Sequence, residues 1–219
     1  HGIDMLVLKG AATAHLDYLA PELRLFGDAD VLIRPGDHGR ALEVLAAEGY
    51  RRVSPPVHGW WERRFGRTVT HVAPNGAELD MHLRIAGGSF GSTINHEDIW
   101  ERAGAGFVLA GRQMRALAGP DRLFHACCHT VLGDNSGLRS QRDVAQLLLN
   151  SQVDWEETVE IAEACGCSTV VAAAIRRTWQ NLALTDHPAS VWAYGHVDDA
   201  EQLAAVKAYE LTFATDWAP

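Results

Sequence analysis

The chain of 219 residues contains no apolar run near the roughly 20 residues that a membrane-spanning helix needs, which argues against a helical membrane protein. No secretory signal precedes its first strand-like segment. That segment is reached by Ile3, close behind His1, so the natural start is expected to be missing. Cysteine is scarce: four residues, as Cys127–Cys128 and Cys165-Gly166-Cys167. Neighbours this close make poor disulfide partners, and neither pair has zinc-ribbon spacing, so the expectation is buried thiols in a reduced, cytoplasmic protein. Lysine is scarcer still, with only Lys9 and Lys207 among 19 basic residues. Where a chain defaults to Arg, a Lys inside a motif hints at a need for an ammonium. There is no internal repeat and no low-complexity segment.

Acidic residues are plentiful. The net charge is −9 and the pI about 5.6, which disfavours nucleic acid or an anionic membrane as a partner. The charge is uneven. Through Arg115 there are 13 basic and 14 acidic residues; from Ala116 onward there are 6 and 14. That asymmetry predicts two parts, an α/β (α+β) front half at 1–118 and an all-helical domain at 119–219.

Local patterns fill in the front half. Ile3 to Leu8 reads as a buried strand ending in a turn at Lys9-Gly10, and Ala11 to Leu19 as a helix. Ala29 to Ile33 is a second strand. Pro35-Gly36-Asp37 opens a helix, with Asp37 as its expected N-cap and Leu42, Val44 and Leu45 as its apolar face. Thr68 to Ala73 and Ala77 to Ile85 flank Pro74-Asn75-Gly76, a hairpin signal. In the second arm Leu79, Met81 and Leu83 alternate with Asp80, His82 and Arg84, so one face is apolar and the other carries ionisable groups. Phe107 to Leu117, broken at Ala110-Gly111, reads as another hairpin. After Pro120 the helices expected are Asp121 to Leu132, Leu138 to Leu149, Asp154 to Ala164, Thr169 to Leu182 and Ala200 to Phe213. Asp154 and Glu157 give the third of these a capping-box-like start.

The chemistry concentrates at Arg24-Leu25-Phe26-Gly27-Asp28-Ala29-Asp30-Val31. Two aspartates two apart enter a strand and project to one side. Aspartate is disfavoured in strands, so the pair costs folding energy unless its charge is satisfied. A divalent cation does this: Mg²⁺ (or Mn²⁺) takes hard carboxylate oxygens and leaves positions open for phosphate. Asp80 supplies a third carboxylate if its strand lies beside the first. The competing reading is a pair of solvated turn residues.

Leu8-Lys9-Gly10, Arg24, Gly27-Asp28-Ala29-Asp30-Val31-Leu32 and Glu78-Leu79-Asp80-Met81-His82 together resemble the uncharacterised nucleotidyltransferase family of the minimal, polymerase-β-like superfamily. Arg122-Leu123-Phe124-His125-Ala126-Cys127-Cys128-His129, with Leu138-Arg139 and Asp143, is similar to that family's helical portion. The resemblance runs from Ile3 to Leu149. It implies a mixed sheet with helices on one side and a trailing helical domain closing a cleft. It also implies Asp28, Asp30 and Asp80 as catalytic metal ligands, and ATP or another NTP as co-substrate. The nucleotide contacts are then Lys9, Gly10, Arg24, Gly27 and His82. Lys9-Gly10 stands where the wider superfamily has Gly-Ser.

Several residues carry two readings. Arg24 either reaches a phosphate or pairs with Asp28, and His82 either orients Asp80 or is a satisfied sheet histidine. His129, Arg139 and Asp143 either line an acceptor pocket or serve packing and an i,i+4 pair. His125 and His129 also have the spacing of a zinc-binding pair, but without the metalloprotease glutamate. Trp60-Trp61 with Arg63-Arg64 is expected on a loop. The function expected is transfer of an NMP group from an NTP to a hydroxyl of a small-molecule or modified-peptide acceptor. The alternative is a nucleotide-binding or protein-partner module on the same fold.

Overall fold

The computed structural model describes residues 2–53, 58–133 and 137–213; His1 lies outside them. The chain divides into two compact units, one of His1–Gly87 with His96–Ala118 and one of Gly88–Asn95 with Gly119–Pro219.

The first unit carries β1 (Met5–Val7), α1 (Lys9–Leu16), β2 (Asp28–Ile33), α2 (His38–Ala47), β3 (Arg51–Arg52), α3 (Gly59–Phe65), β4 (Thr68–Val72) and β5 (Glu78–His82). After α4 (Phe90–Thr93), which belongs to the second unit, follow α5 (His96–Arg102), β6 (Ala105–Leu109) and β7 (Arg112–Ala116). The seven strands form one sheet in the order β3-β4-β5-β2-β1-β7-β6. β2 runs parallel to β5 and β1 parallel to β7, while every other pairing is antiparallel. This is the mixed α/β sheet expected from the sequence.

Turn chemistry fixes the hairpins. At Pro74-Asn75-Gly76 the Gly76 backbone takes φ 87°, its N–H donates to Ala73 O and the Ala73 N–H donates to Ala77 O. This closure sets Thr70 opposite Asp80 and Thr68 opposite His82. The second hairpin turns through Ala110 (φ 50°) and Gly111 (φ 75°), the left-handed pair of a type I′ turn.

The period-2 pattern sorts the faces. Ala11 and Ala12 of α1 pack on Val7, Phe107 and Ala116. Ala41 of α2, flanked by Leu42 and Leu45, packs on Ile33, Val69, Met81 and Leu83. Val7, Val31 and Met81 are register partners in turn, so both helices cover one face. Asp30, Asp80, His82, Thr68 and Thr70 alternate to the other.

Three local expectations are corrected. Lys9-Gly10 is not a turn after a strand but the first turn of α1, which ends at Leu16. Asp37 does not cap α2 with its side chain, because Pro35–Asp37 forms a 3₁₀ turn that leaves Asp37 helical. Trp60 and Trp61 lie on a helix, α3. Neither α5 nor the helix at Pro188–Gly195 is expected from the sequence.

The second unit continues with α6 (Gly119–Leu132), α7 (Gly137–Leu149), α8 (Trp155–Ala164), α9 (Ser168–Leu182), α10 (Pro188–Gly195) and α11 (Ala200–Phe213). The Asp154 carboxylate accepts from the Glu156 and Glu157 N–H groups and caps α8. Val170, Val171, Ala172 and Ala174 of α9 are fully buried. All four cysteines are free thiols, and burial pushes the Cys127 thiol up, which keeps it protonated. Among the described residues no helix is long and apolar enough to cross a membrane.

Candidate functional site

The site is built where β2 and β5 run side by side. Their parallel register places Asp30 opposite Asp80, and His82 follows two residues later on the same face. One ligand atom each from Asp30, Asp80 and His82 lies within 4.8 Å of the other two. Asp30 is 3 % exposed and His82 1 %, so this charge is held away from bulk water.

Hydrogen bonds fix each member. His82 Nε2 stands 2.8 Å from Asp30 Oδ1, and His82 Nδ1 stands 3.0 Å from Thr68 Oγ1. A neutral ring donating from Nε2 to Asp30 and accepting the Thr68 hydroxyl at Nδ1 satisfies both contacts. Burial lowers the His82 pKa against the opposing pull of Asp30, in keeping with a neutral ring. The Thr70 hydroxyl donates to Asp80 Oδ1 at 2.6 Å. His82 therefore orients Asp30, not Asp80 as the sequence suggested.

The third party at Asp30 is Lys9, whose ammonium donates to Oδ1 at 2.7 Å and lies 3.5 Å from His82 Nε2. Lys9 heads α1 with φ 40°, the left-handed region that a lysine rarely enters. The Leu8 N–H, just before it, donates to Asp30 O at 2.9 Å and ties this corner to β2. Burial opposes ionisation of Asp30, yet the His82 bond and the Lys9 ammonium outweigh it and hold the carboxyl well below the usual range. At Asp28 the balance is reversed. Burial first, then the Asp30 charge, raise its carboxyl. Asp28 sits at the edge of the site and is not a member of the close cluster of Asp30, Asp80 and His82.

The other expected contacts fall differently. Arg24 is buried and donates to the Leu25 carbonyl. Gly27 is exposed, with open space where a side chain would begin. Gly10 is buried, and a Cβ there would lie 2.5 Å from Phe26 Cβ, so its smallness serves close packing of α1 against the segment entering β2. Gly10→Ala is therefore expected to cost about 1–3 kcal/mol. Thermal melts check this: Phe26→Gly should restore the loss, whereas Phe26→Ala, which keeps the Cβ, should not.

His129 on α6 is half-buried, Asp143 on α7 is buried and Arg139 is exposed. Thr68 and Thr70 escaped sequence reasoning. Their signal was available, because the Pro74-Asn75-Gly76 turn puts each directly across from a site residue.

Two carboxylates and an imidazole, close together and individually oriented, suit a divalent cation. Carboxylates favour Mg²⁺, and the imidazole extends the set toward Mn²⁺.

Compared with known proteins, the family described as uncharacterised nucleotidyltransferase matches residues 1–182. The chain is similar to the crystal structure of an antigenic nucleotidyltransferase-like protein from Paracoccidioides brasiliensis, at 13% identity over 92% of this chain and 89% of that one, with a TM-score of 0.48. It is also similar to the solution structure of the antibiotic-resistance factor ANT(2'')-Ia, at 15% identity over 83% and 86%, with a TM-score of 0.46. None of the curated proteins matches the chain.

Proposed function

The chain belongs to the uncharacterised nucleotidyltransferase family, and on that premise we propose that it transfers an NMP group from ATP or another NTP to an acceptor hydroxyl. The observation that carries this reading is the pairing of Asp30 with Asp80 across parallel strands, with His82 at 4.8 Å or less from both. Asp30, Asp80 and His82 would hold Mg²⁺ or Mn²⁺, with Asp28 at the edge as a further carboxylate. Such a cation supplies charge neutralisation at phosphate oxygens and polarises an attacking hydroxyl.

The chain's own groups do the positioning. Thr70 fixes Asp80, the carboxylate that would receive the acceptor's proton. Thr68 can donate to His82 Nδ1 or accept from it, so Nε2 can offer either a proton or a lone pair. Lys9 is the ammonium nearest the acids and is suited to a phosphate oxygen. Gly27, open and exposed, leaves backbone accessible beside Asp28.

The acceptor is a small molecule or a modified peptide. The segment from Ala116 onward has 14 acidic and 6 basic residues, which repels a polynucleotide and suits a cationic acceptor. His129, Arg139 and Asp143 are the residues assigned to it. A second reading, a nucleotide-binding module that no longer transfers, is favoured by one observation, the Lys9 ammonium already seated on Asp30. Calorimetry with ATP and with GTP separates the two. Transfer chemistry requires binding that appears with Mg²⁺ and is lost in EDTA; equal binding with and without the metal would overturn it.

A further inference from the structure

We propose that Lys9 is a built-in competitor of the divalent cation at Asp30, so that the cation is admitted together with the nucleotide and not ahead of it. The inference rests on the metal-dependent reading above and adds to it the order in which the charges assemble.

The Lys9 ammonium is 2.7 Å from Asp30 Oδ1 and 3.5 Å from His82 Nε2, polar atoms of two of the three residues in the cluster. It thus sits against both Asp30 and His82, where a cation held by the two would meet it. Asp30 Oδ1 also stands 2.8 Å from His82 Nε2, so this oxygen is already satisfied by two neighbours. A divalent ion drawn to Asp30 and His82 must displace the ammonium or share the carboxylate with a like charge, in a site where Asp30 is 3 % and His82 1 % exposed.

The placement of the ammonium is built into the backbone. Lys9 takes a left-handed conformation, and the preceding N–H is bonded to Asp30 O. The chain uses lysine at only two positions, so an arginine default does not explain the residue. Strain retained at one residue beside a cluster of ligands is a functional signature. An incoming triphosphate offers the ammonium an alternative anion, and transfer of Lys9 to it frees Asp30 for the cation. Nothing covalent is involved; one ion pair is exchanged for two.

The test is Mn²⁺ binding without nucleotide, followed by electron paramagnetic resonance and calorimetry on the full chain. Lys9→Met is expected to bind Mn²⁺ at least about tenfold more tightly than wild type, a difference of about 1.4 kcal/mol. Lys9→Arg, which keeps the charge, is expected to stay near wild type. Equal or weaker binding in Lys9→Met overturns the proposal and leaves the metal site standing. Absence of Mn²⁺ binding in every variant overturns both.

A wild-type measurement guards against misfolding of the variants. Limited amine labelling with peptide mapping reads Lys9 against Lys207 as an internal reference. Mg²⁺ with a non-hydrolysable NTP, compared with Mg²⁺ alone, should change the Lys9 to Lys207 ratio severalfold. An unchanged ratio overturns the exchange.

Discussion

Asp80→Asn is expected to lower Mg²⁺-dependent nucleotide binding and turnover by about 10²–10³-fold while leaving the melting temperature unchanged. The amide retains the shape and the local bonding of the carboxylate. Asn keeps an oxygen to accept the Thr70 hydroxyl, now 2.6 Å from Asp80 Oδ1, and the backbone register across β4 and β5 is untouched. What goes is one negative charge beside Asp30, and with it the attraction for a divalent ion. Asp30→Asn makes the contrast. That carboxylate anchors Lys9 and contacts His82, so its loss strands an ammonium with 16% exposure at the head of α1. The cost is about 2–3 kcal/mol, below the roughly 3–5 of a fully buried pair because Lys9 keeps some solvent. Melts and calorimetry on both variants check this. Equal melting losses would mean that Asp80 is structural; wild-type nucleotide binding in Asp80→Asn would sink the metal-site assignment.

Much of that pairing was legible because it depends on local rules. Period-2 alternation put Asp80 and His82 on the polar face, and the Pro74-Asn75-Gly76 turn fixed the hairpin register. The helices after Pro120 other than α10 were readable in the sequence, and Asp154 from its capping role. Other features are tertiary. The Lys9–Asp30 pair needs a left-handed lysine and the Leu8 N–H bond to Asp30 O, neither of which has a local signature. Helix α10 is capped by His187, an unusual N-cap residue, through its ring Nδ1 and Ser190. Helix α3 reverses the usual pattern, burying Glu62 while Trp60, Trp61 and Phe65 are about half exposed, so hydrophobicity gave the wrong guide to it. The family resemblance implies a nucleotide contact at Gly10, whereas its crowding against Phe26 shows only in three dimensions.

Glu62→Ala is expected to destabilise the protein by about 2–3 kcal/mol, again below the roughly 3–5 of a fully buried pair because Arg52 keeps some solvent. Glu62 is 5% exposed on α3, takes two bonds from the Arg52 guanidinium on β3 and lies 3.5 Å from His38 Nε2 on α2. Three elements meet at one carboxylate, and removing it leaves Arg52, 18% exposed, without its counter-ion. Replacing both partners, as in Glu62→Leu with Arg52→Met, should cost much less, because no charge is then left stranded.

The same corner sets an acid sensitivity. Burial lowers the pKa values of His38 and His71 below that of a free imidazole, with the Glu62 charge partly opposing the shift at His38. An unfolded histidine gains its proton near pH 6.5, about where the folded state still resists it. Stability from these two residues is therefore complete above that pH and falls as the pH drops through the window below it. Melting temperatures between pH 8 and pH 5.5 should decline for wild type. Glu62→Ala should decline more steeply, because it loses the acid that favours protonated His38. A flat profile, or a shallower slope in the variant, would show that these histidines are not held neutral by the fold.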